Sequence, residues 1–139
     1  MLHAFGDTLQ VKLSGDDTNG SLAVALAATP PGHGPPPHIH HNEDELFIIL
    51  EGSFKFLGND GWSGPVGPGT VVYTPRGVRH TFQNAGTEVG RHWVLATPSG
   101  FERFFGQCAE VFAAGQPPDM QRILAICGEH GLEFVPPLI

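Results

Sequence analysis

His38-Ile39-His40-His41-Asn42-Glu43-Asp44-Glu45-Leu46-Phe47-Ile48-Ile49-Leu50-Glu51-Gly52 is the stretch on which the fold turns. If the chain is extended here, His38 and His40 project to one face, because side chains alternate along a strand. Glu45 lies five residues beyond His40. An unbroken strand would send it to the opposite face, so the polar run His41 to Asp44 has to contain a turn or bulge that restores it. Leu46 to Leu50 is apolar on both parities, which predicts a strand buried on both faces.

A second segment completes the set. Gly69-Thr70-Val71-Val72-Tyr73-Thr74 is rich in β-branched residues and reads as a strand. Pro75 to Arg79 then supplies a turn, and His80-Thr81-Phe82-Gln83-Asn84 follows. Only a folded sheet brings His80 to His38 and His40. Three imidazoles and one carboxylate, His38, His40, His80 and Glu45, suit one divalent first-row ion such as Fe, Mn, Ni, Co, Cu or Zn. Neutral imidazoles with a single anion leave such a centre positively charged, so it keeps Lewis acidity.

These residues resemble the two motifs of the cupin superfamily. Gly32, His38, His40, Glu45 and Gly52 match the first motif in spacing, and Gly69, Pro75, Gly77, His80 and Asn84 match the second, with sixteen residues between Gly52 and Gly69. The resemblance implies an all-β fold: a single cupin barrel (double-stranded β-helix, or jelly roll) with a short C-terminal helical extension. It places the barrel at residues 1–98 and the extension, packed on it, at 99–139. Carried over by position, His38, His40, Glu45 and His80 are the metal ligands, and the glycines, Pro75 and Asn84 shape turns and barrel corners. Small barrels of this kind pair into homodimers, and the apolar run Leu46 to Leu50 independently calls for a covered outer face.

The remaining histidines read differently. His41 has the opposite parity to the ligand pair and is expected in the loop or behind the ligands. His33, in the Gly-Pro loop, is placed to line the barrel mouth. His92 lies in the strand Arg91 to Leu95, facing either in or out. His3 and His130 read as surface residues.

Composition fits one compact domain. The chain has 139 residues, 15% of them charged, with 19 Gly and 13 Pro, a balance that favours short strands and tight turns. Its formal charge of −7 and its scattered basic residues argue against a nucleic-acid partner. No basic leader precedes an apolar stretch and no run approaches the roughly twenty apolar residues of a membrane span, so a soluble cytoplasmic protein with no membrane partner is expected. Cys108 and Cys127 lack a CxxC spacing and read as buried free thiols.

Along the chain, Thr8 to Leu13 reads as a strand, Ser14 to Gly20 as a hairpin loop and Ser21 to Ala28 as the returning strand. Thr29 to Pro37 is a proline-stiffened loop, and Gly64 to Gly69 is a corner. After Ala96, residues Phe101, Phe104, Phe105, Cys108, Val111 and Phe112 recur at helical spacing. A second helix is expected from Asp119 to Cys127, ended by Gly128. The aromatic stripe is a lid or an interface in one reading and a cavity wall in the other. Pro98-Ser99-Gly100-Phe101-Glu102 resembles, with one residue inserted, the Pro-Gly-Phe-Glu stretch of small bacterial proteins related to quercetin dioxygenases.

The function expected from the site and this resemblance is a dioxygenase-like oxidation of a small aromatic or enolisable substrate coordinated to the metal. Apolar lining is expected from Phe47, Ile49, Val72 and Phe82, and Glu45 is the candidate catalytic base. A metal-dependent isomerase, lyase or decarboxylase would instead need a cationic clamp, for which Arg76, Arg79 and Arg91 are available. A non-catalytic module that binds a small ligand is the third class.

Overall fold

A computed structural model describes residues 1–135; the last four positions of the expected extension, 136–139, lie outside the described residues. The strands are β1 (Leu2–Ala4), β2 (Asp7–Leu13), β3 (Ala23–Thr29), β4 (His38–His40), β5 (Asp44–Glu51), β6 (Phe54–Gly58), β7 (Gly61–Val66), β8 (Val71–Thr74), β9 (Thr81–Asn84), β10 (Gly90–Thr97) and β11 (Leu132–Phe134). The helices are α1 (Gly15–Thr18), α2 (Phe101–Ala113) and α3 (Met120–Glu129). The expected all-β barrel with C-terminal helices is what the chain forms.

Three antiparallel sheets build it. The largest has the order β1-β2-β3-β10-β5-β8, the second β7-β6-β9, and β11 pairs with β4. Cross-strand rows set the interior: Ala27 faces His92, which faces Ile49, and Ala25 faces Val94, which faces Phe47. Alanines on β3 leave volume on that wall, while phenylalanines fill the other. Phe47 meets Phe56 and Phe82 of the second sheet with ring centroids 5.6 and 5.7 Å apart, closing the two sheets on each other.

Several local expectations need correction. Outward Leu46 and Ile48 are half-buried and Leu50 is 37% exposed, so within the single chain β5 is buried on its inner face alone. Its outward side chains lie on the open side of the sheet beside Trp93 and Val71. The presumed hairpin loop at Ser14 contains α1, because the Ser14 and Asp17 side chains cap each other's backbone. Gly64 belongs to β7, so only the second half of the supposed corner is a corner. Gly128 lies within α3, and the positive-φ residue beyond that helix is Gly131 (φ 66°). His130 is half-buried, its Nε2 2.7 Å from Gln107 Oε1.

The β1–β2 turn bears on the site. Phe5 and Gly6 both have positive φ, 54° and 83°. Two such residues match the twist of a hairpin, but a bulky side chain rarely adopts this conformation. Phe5 is held there by its ring, which packs on Phe112 (5.1 Å), Phe134 (5.8 Å) and Phe104 (6.4 Å).

Buried Glu102 ties α2 to the barrel end. Its Oε2 accepts from Gly15 N (2.6 Å) and its Oε1 from Gly100 N (2.7 Å), and a side chain at residue 15 would collide with Ser99. Glu102→Gln replaces one charged acceptor by an amide N–H. It should lower the unfolding free energy by about 2 kcal/mol in chemical denaturation, and an unchanged midpoint would show that the tie is dispensable.

Candidate metal centre

The four residues singled out by spacing converge. His38, His40, Glu45 and His80 are all buried, and each offers one ligand atom within 4.8 Å of the others. β4 alternates, so His38 and His40 point inward with Ile39 between them. The turn at 41–43 then restores parity, and Glu45 enters β5 facing inward opposite Ala96 and Thr74. His80 arrives by a two-residue bridge: His38 N donates to His80 O at 3.0 Å, and His80 N donates to His38 O at 2.9 Å.

Each histidine is oriented by a partner behind it. Nδ1 of His38 lies 2.7 Å from Pro36 O, Nδ1 of His80 lies 3.1 Å from Val78 O, and Nδ1 of His40 lies 2.8 Å from Glu43 Oε1. Each acceptor holds the ring proton on Nδ1, which turns Nε2 toward the common centre. Glu45 Oε1 lies 2.9 Å from His80 Nε2 and 3.1 Å from His40 Nε2. The second approach is an ion-pair distance without hydrogen-bond geometry, so His40 Nε2 is buried with no hydrogen-bond partner among the described residues.

Electrostatics follow from this crowding. Burial disfavours a charge on His38, His40 and Glu45. At His38 burial, reinforced by His80 and His40, pushes the pKa down to about 3. At His40 burial pushes down too, but Glu45 and Glu43 outweigh it and hold the ring up at about 10. Burial likewise favours a neutral Glu45, yet His40 and His80 hold its carboxyl well below the usual range.

The donor set fits a divalent transition ion. Three Nε2 atoms and one carboxylate are its usual ligands, and a 4.8 Å spread is close to the about 4.2 Å across a sphere of 2.1 Å bonds. The unpartnered His40 Nε2 is the atom a metal would satisfy, with the ion in place of the proton.

Glu43 is the residue that sequence reasoning missed, because a carboxylate in a polar turn reads as solvated. It is 6% exposed and faces His40. Glu43→Ala should weaken metal binding about 10–100-fold. Competition against a chromophoric chelator measures this, and wild-type affinity would remove the assigned role.

The ligands border a cavity of about 60 Å³. Seven phenylalanines wall it: Phe5, Phe47, Phe82, Phe101, Phe104, Phe105 and Phe134. The aromatic stripe of α2 is therefore both core and wall. Of the expected lining, Phe47 and Phe82 are in the wall, while Ile49 packs behind it and Val72 borders a separate surface pocket. His92 faces in and lines the cavity. His41 is exposed against Glu133 (3.0 Å), and exposed His33 packs on Gly6 rather than on the cavity. Arg76 is exposed and bound to Asp44 (3.1 Å), Arg91 reaches Glu51 (3.3 Å), and Arg79 is absent from the wall. Cys108 and Cys127 are free and buried, and no helix among the described residues is long and apolar enough to cross a membrane.

Comparison with known proteins finds the same fold. A sugar phosphate isomerase of the cupin superfamily from Silicibacter pomeroyi superposes with a TM-score of 0.58 at 25% identity, over 66% of this chain and 59% of that one. A predicted oxalate decarboxylase from Thermotoga maritima superposes at 0.63 with 23% identity, over 70% and 89%. An oxalate oxidase in complex with the substrate analogue glycolate does so at 0.58 with 21% identity, over 70% and 54%. The last two share the fold, and the chain spans 59% of the length of the isomerase. No curated protein matches the sequence. The cupin domain profile matches residues 25–95, more than half the chain and the segment that carries His38, His40, Glu45 and His80, and the chain belongs to that family.

Proposed function

We propose that the chain is a dioxygenase-like metalloenzyme that oxidises a small enolisable or phenolic molecule held against His38, His40, Glu45 and His80. The observation behind this reading is the cavity wall. It is dominated by phenylalanine, and no Lys or Arg is among the described residues that line it. A sugar phosphate or a dicarboxylate carries charge that such a wall leaves without a partner. A mostly apolar molecule with one metal-seeking oxygen suits it.

A divalent ion on these ligands would supply Lewis acidity, lowering the pKa of a coordinated enol or hydroxyl. Glu45 is the only carboxylate of the set and its ionised form is favoured by His40 and His80, so it is the group to accept the substrate proton. The three histidines keep their places through their Nδ1 partners, and the aromatic wall excludes water. The cavity is smaller than the roughly 150 Å³ that holds benzene in an engineered apolar core. A short diketone therefore fits better than a flavonol, which requires α2 to move aside.

Metal-loaded protein should consume oxygen with one of a panel of diketones, catechols and flavonols, followed with an oxygen electrode. No uptake across the panel would end this reading. The similarity to a sugar phosphate isomerase favours a second one, a metal-dependent isomerase, lyase or decarboxylase, and turnover under nitrogen would identify it. Tight binding without turnover would point to a ligand-binding module.

A further inference from the structure

The cavity holds a second polar feature, at the end away from the four ligands. β10 turns His92 inward, where it is 1% exposed and where neither Nδ1 nor Nε2 has a hydrogen-bond partner among the described residues. Phe82, Phe54 and Phe47 surround the ring at centroid distances of 4.9, 5.1 and 5.8 Å. Phe47 is itself 6.4 Å from His80, so a phenyl ring spaces His92 from the ligand group. Buried polar atoms are nearly always paired, and an apolar side chain in this row would leave nothing unsatisfied. Edge-on phenyl rings give an imidazole N–H only weak contacts and its lone pair none. Asp7 Oδ1 is also unpartnered, but Asp7 borders the surface groove between β1 and α2 as well, whereas His92 faces the cavity alone.

Resting on the functional reading above, we propose that His92 is the recognition residue of this cavity, taking a hydroxyl or carbonyl group at the end of the ligand remote from His38, His40, Glu45 and His80. Burial pushes the His92 pKa down to about 4, so the ring is neutral and presents one donor and one acceptor. A hydroxyl uses both and a carbonyl uses the donor. An anionic far end would find no cation there, since no Lys or Arg is among the described residues of the wall. The ligand class is therefore a short bifunctional molecule with a metal-seeking oxygen, a slender apolar spacer that reaches past Phe47, and a neutral hydrogen-bonding group.

The test uses cobalt(II)-loaded full chain titrated with straight-chain alkyl hydroxamates of increasing length, and with isosteres in which the terminal methyl is a hydroxyl. The cobalt visible spectrum reports binding at the ligand group. At one chain length the hydroxyl isostere should gain about fivefold over the methyl compound in wild type relative to His92→Phe, and His92→Gln should retain part of that gain. An identical ranking in wild type and His92→Phe, with hydroxamates still binding, overturns the role of His92 and leaves the metal site standing. No change in the cobalt spectrum with any hydroxamate overturns both. Should His92→Phe fail to fold, ring ¹⁵N shifts of wild-type His92 decide the question. Movement with the hydroxyl but not the methyl isostere supports recognition, and equal or no movement refutes it.

Discussion

Tag-free protein purified without a metal column is expected to carry close to one first-row ion per chain, and the His40→Ala/His80→Ala variant almost none. The double change deletes two of the four atoms gathered within 4.8 Å, so the loss should exceed the 10–100-fold typical of an outer partner such as Glu43. It also leaves Glu43 and Glu45 as buried carboxylates without their histidines. Removing one partner from a buried pair costs about 3–5 kcal/mol, so circular dichroism has to accompany the elemental analysis. His80→Ala alone, which leaves the pairs between His40 and both glutamates intact, is the milder check. Equal, negligible metal in wild type and variant after reconstitution would remove the metalloenzyme reading.

The second large effect is acid sensitivity carried by His92. Its folded pKa is depressed, by burial, from 6.5 to about 4. Below pH 6.5 the unfolded chain takes up a proton that the folded chain refuses, so stability falls as pH drops toward 4. Each unit is worth about 1.4 kcal/mol, giving on the order of 3 kcal/mol over this window. Asp7 acts in the opposite sense. Burial, partly offset by Thr29, raises its pKa to about 7, so the folded chain takes up that proton first as pH falls. The informative quantity is therefore the stability difference between wild type and His92→Gln, in which Asp7 cancels. The variant should gain on wild type by on the order of 3 kcal/mol between pH 7 and pH 4 in urea titrations of chelator-treated protein. A pH-independent difference would show that His92 charges freely in the folded state.

The convergence of the four candidate ligands was legible because their residue types are chemically rare and their spacing obeys strand parity on either side of one turn. His38 and His40 lie two apart on β4, and the 41–43 turn returned Glu45 to the same face, as parity required. What escaped was information the local sequence does not hold. Whether His92 faces in or out depends on how β10 pairs with β3 and β5, since Arg91 to Leu95 mixes polar and apolar residues on both parities. β11 is only three residues long, too short for any period to register. Phe5 sits in a turn, where an aromatic residue ordinarily faces solvent, and its place in the wall follows only from α2 and β11 packing over it. Five apolar residues in a row carry no parity signal, so the inner and outer faces of β5 could not be told apart. The structure covers one side of that strand and leaves Leu50 in solvent.

The pairing of β11 with β4 has a consequence for biosynthesis. Leu132, Glu133 and Phe134 are the partners of His40, Ile39 and His38. At ribosomal speeds of about 5–20 residues per second, several seconds separate the emergence of Ile39 from that of Glu133. Through that interval one edge of the strand bearing His38 and His40 stays unpaired, and Phe134 has yet to cover the aromatic wall. His38 and His40 therefore sit on a strand with one open edge until nearly the whole chain has been made, and the enclosure of any site built from them is among the last steps of synthesis.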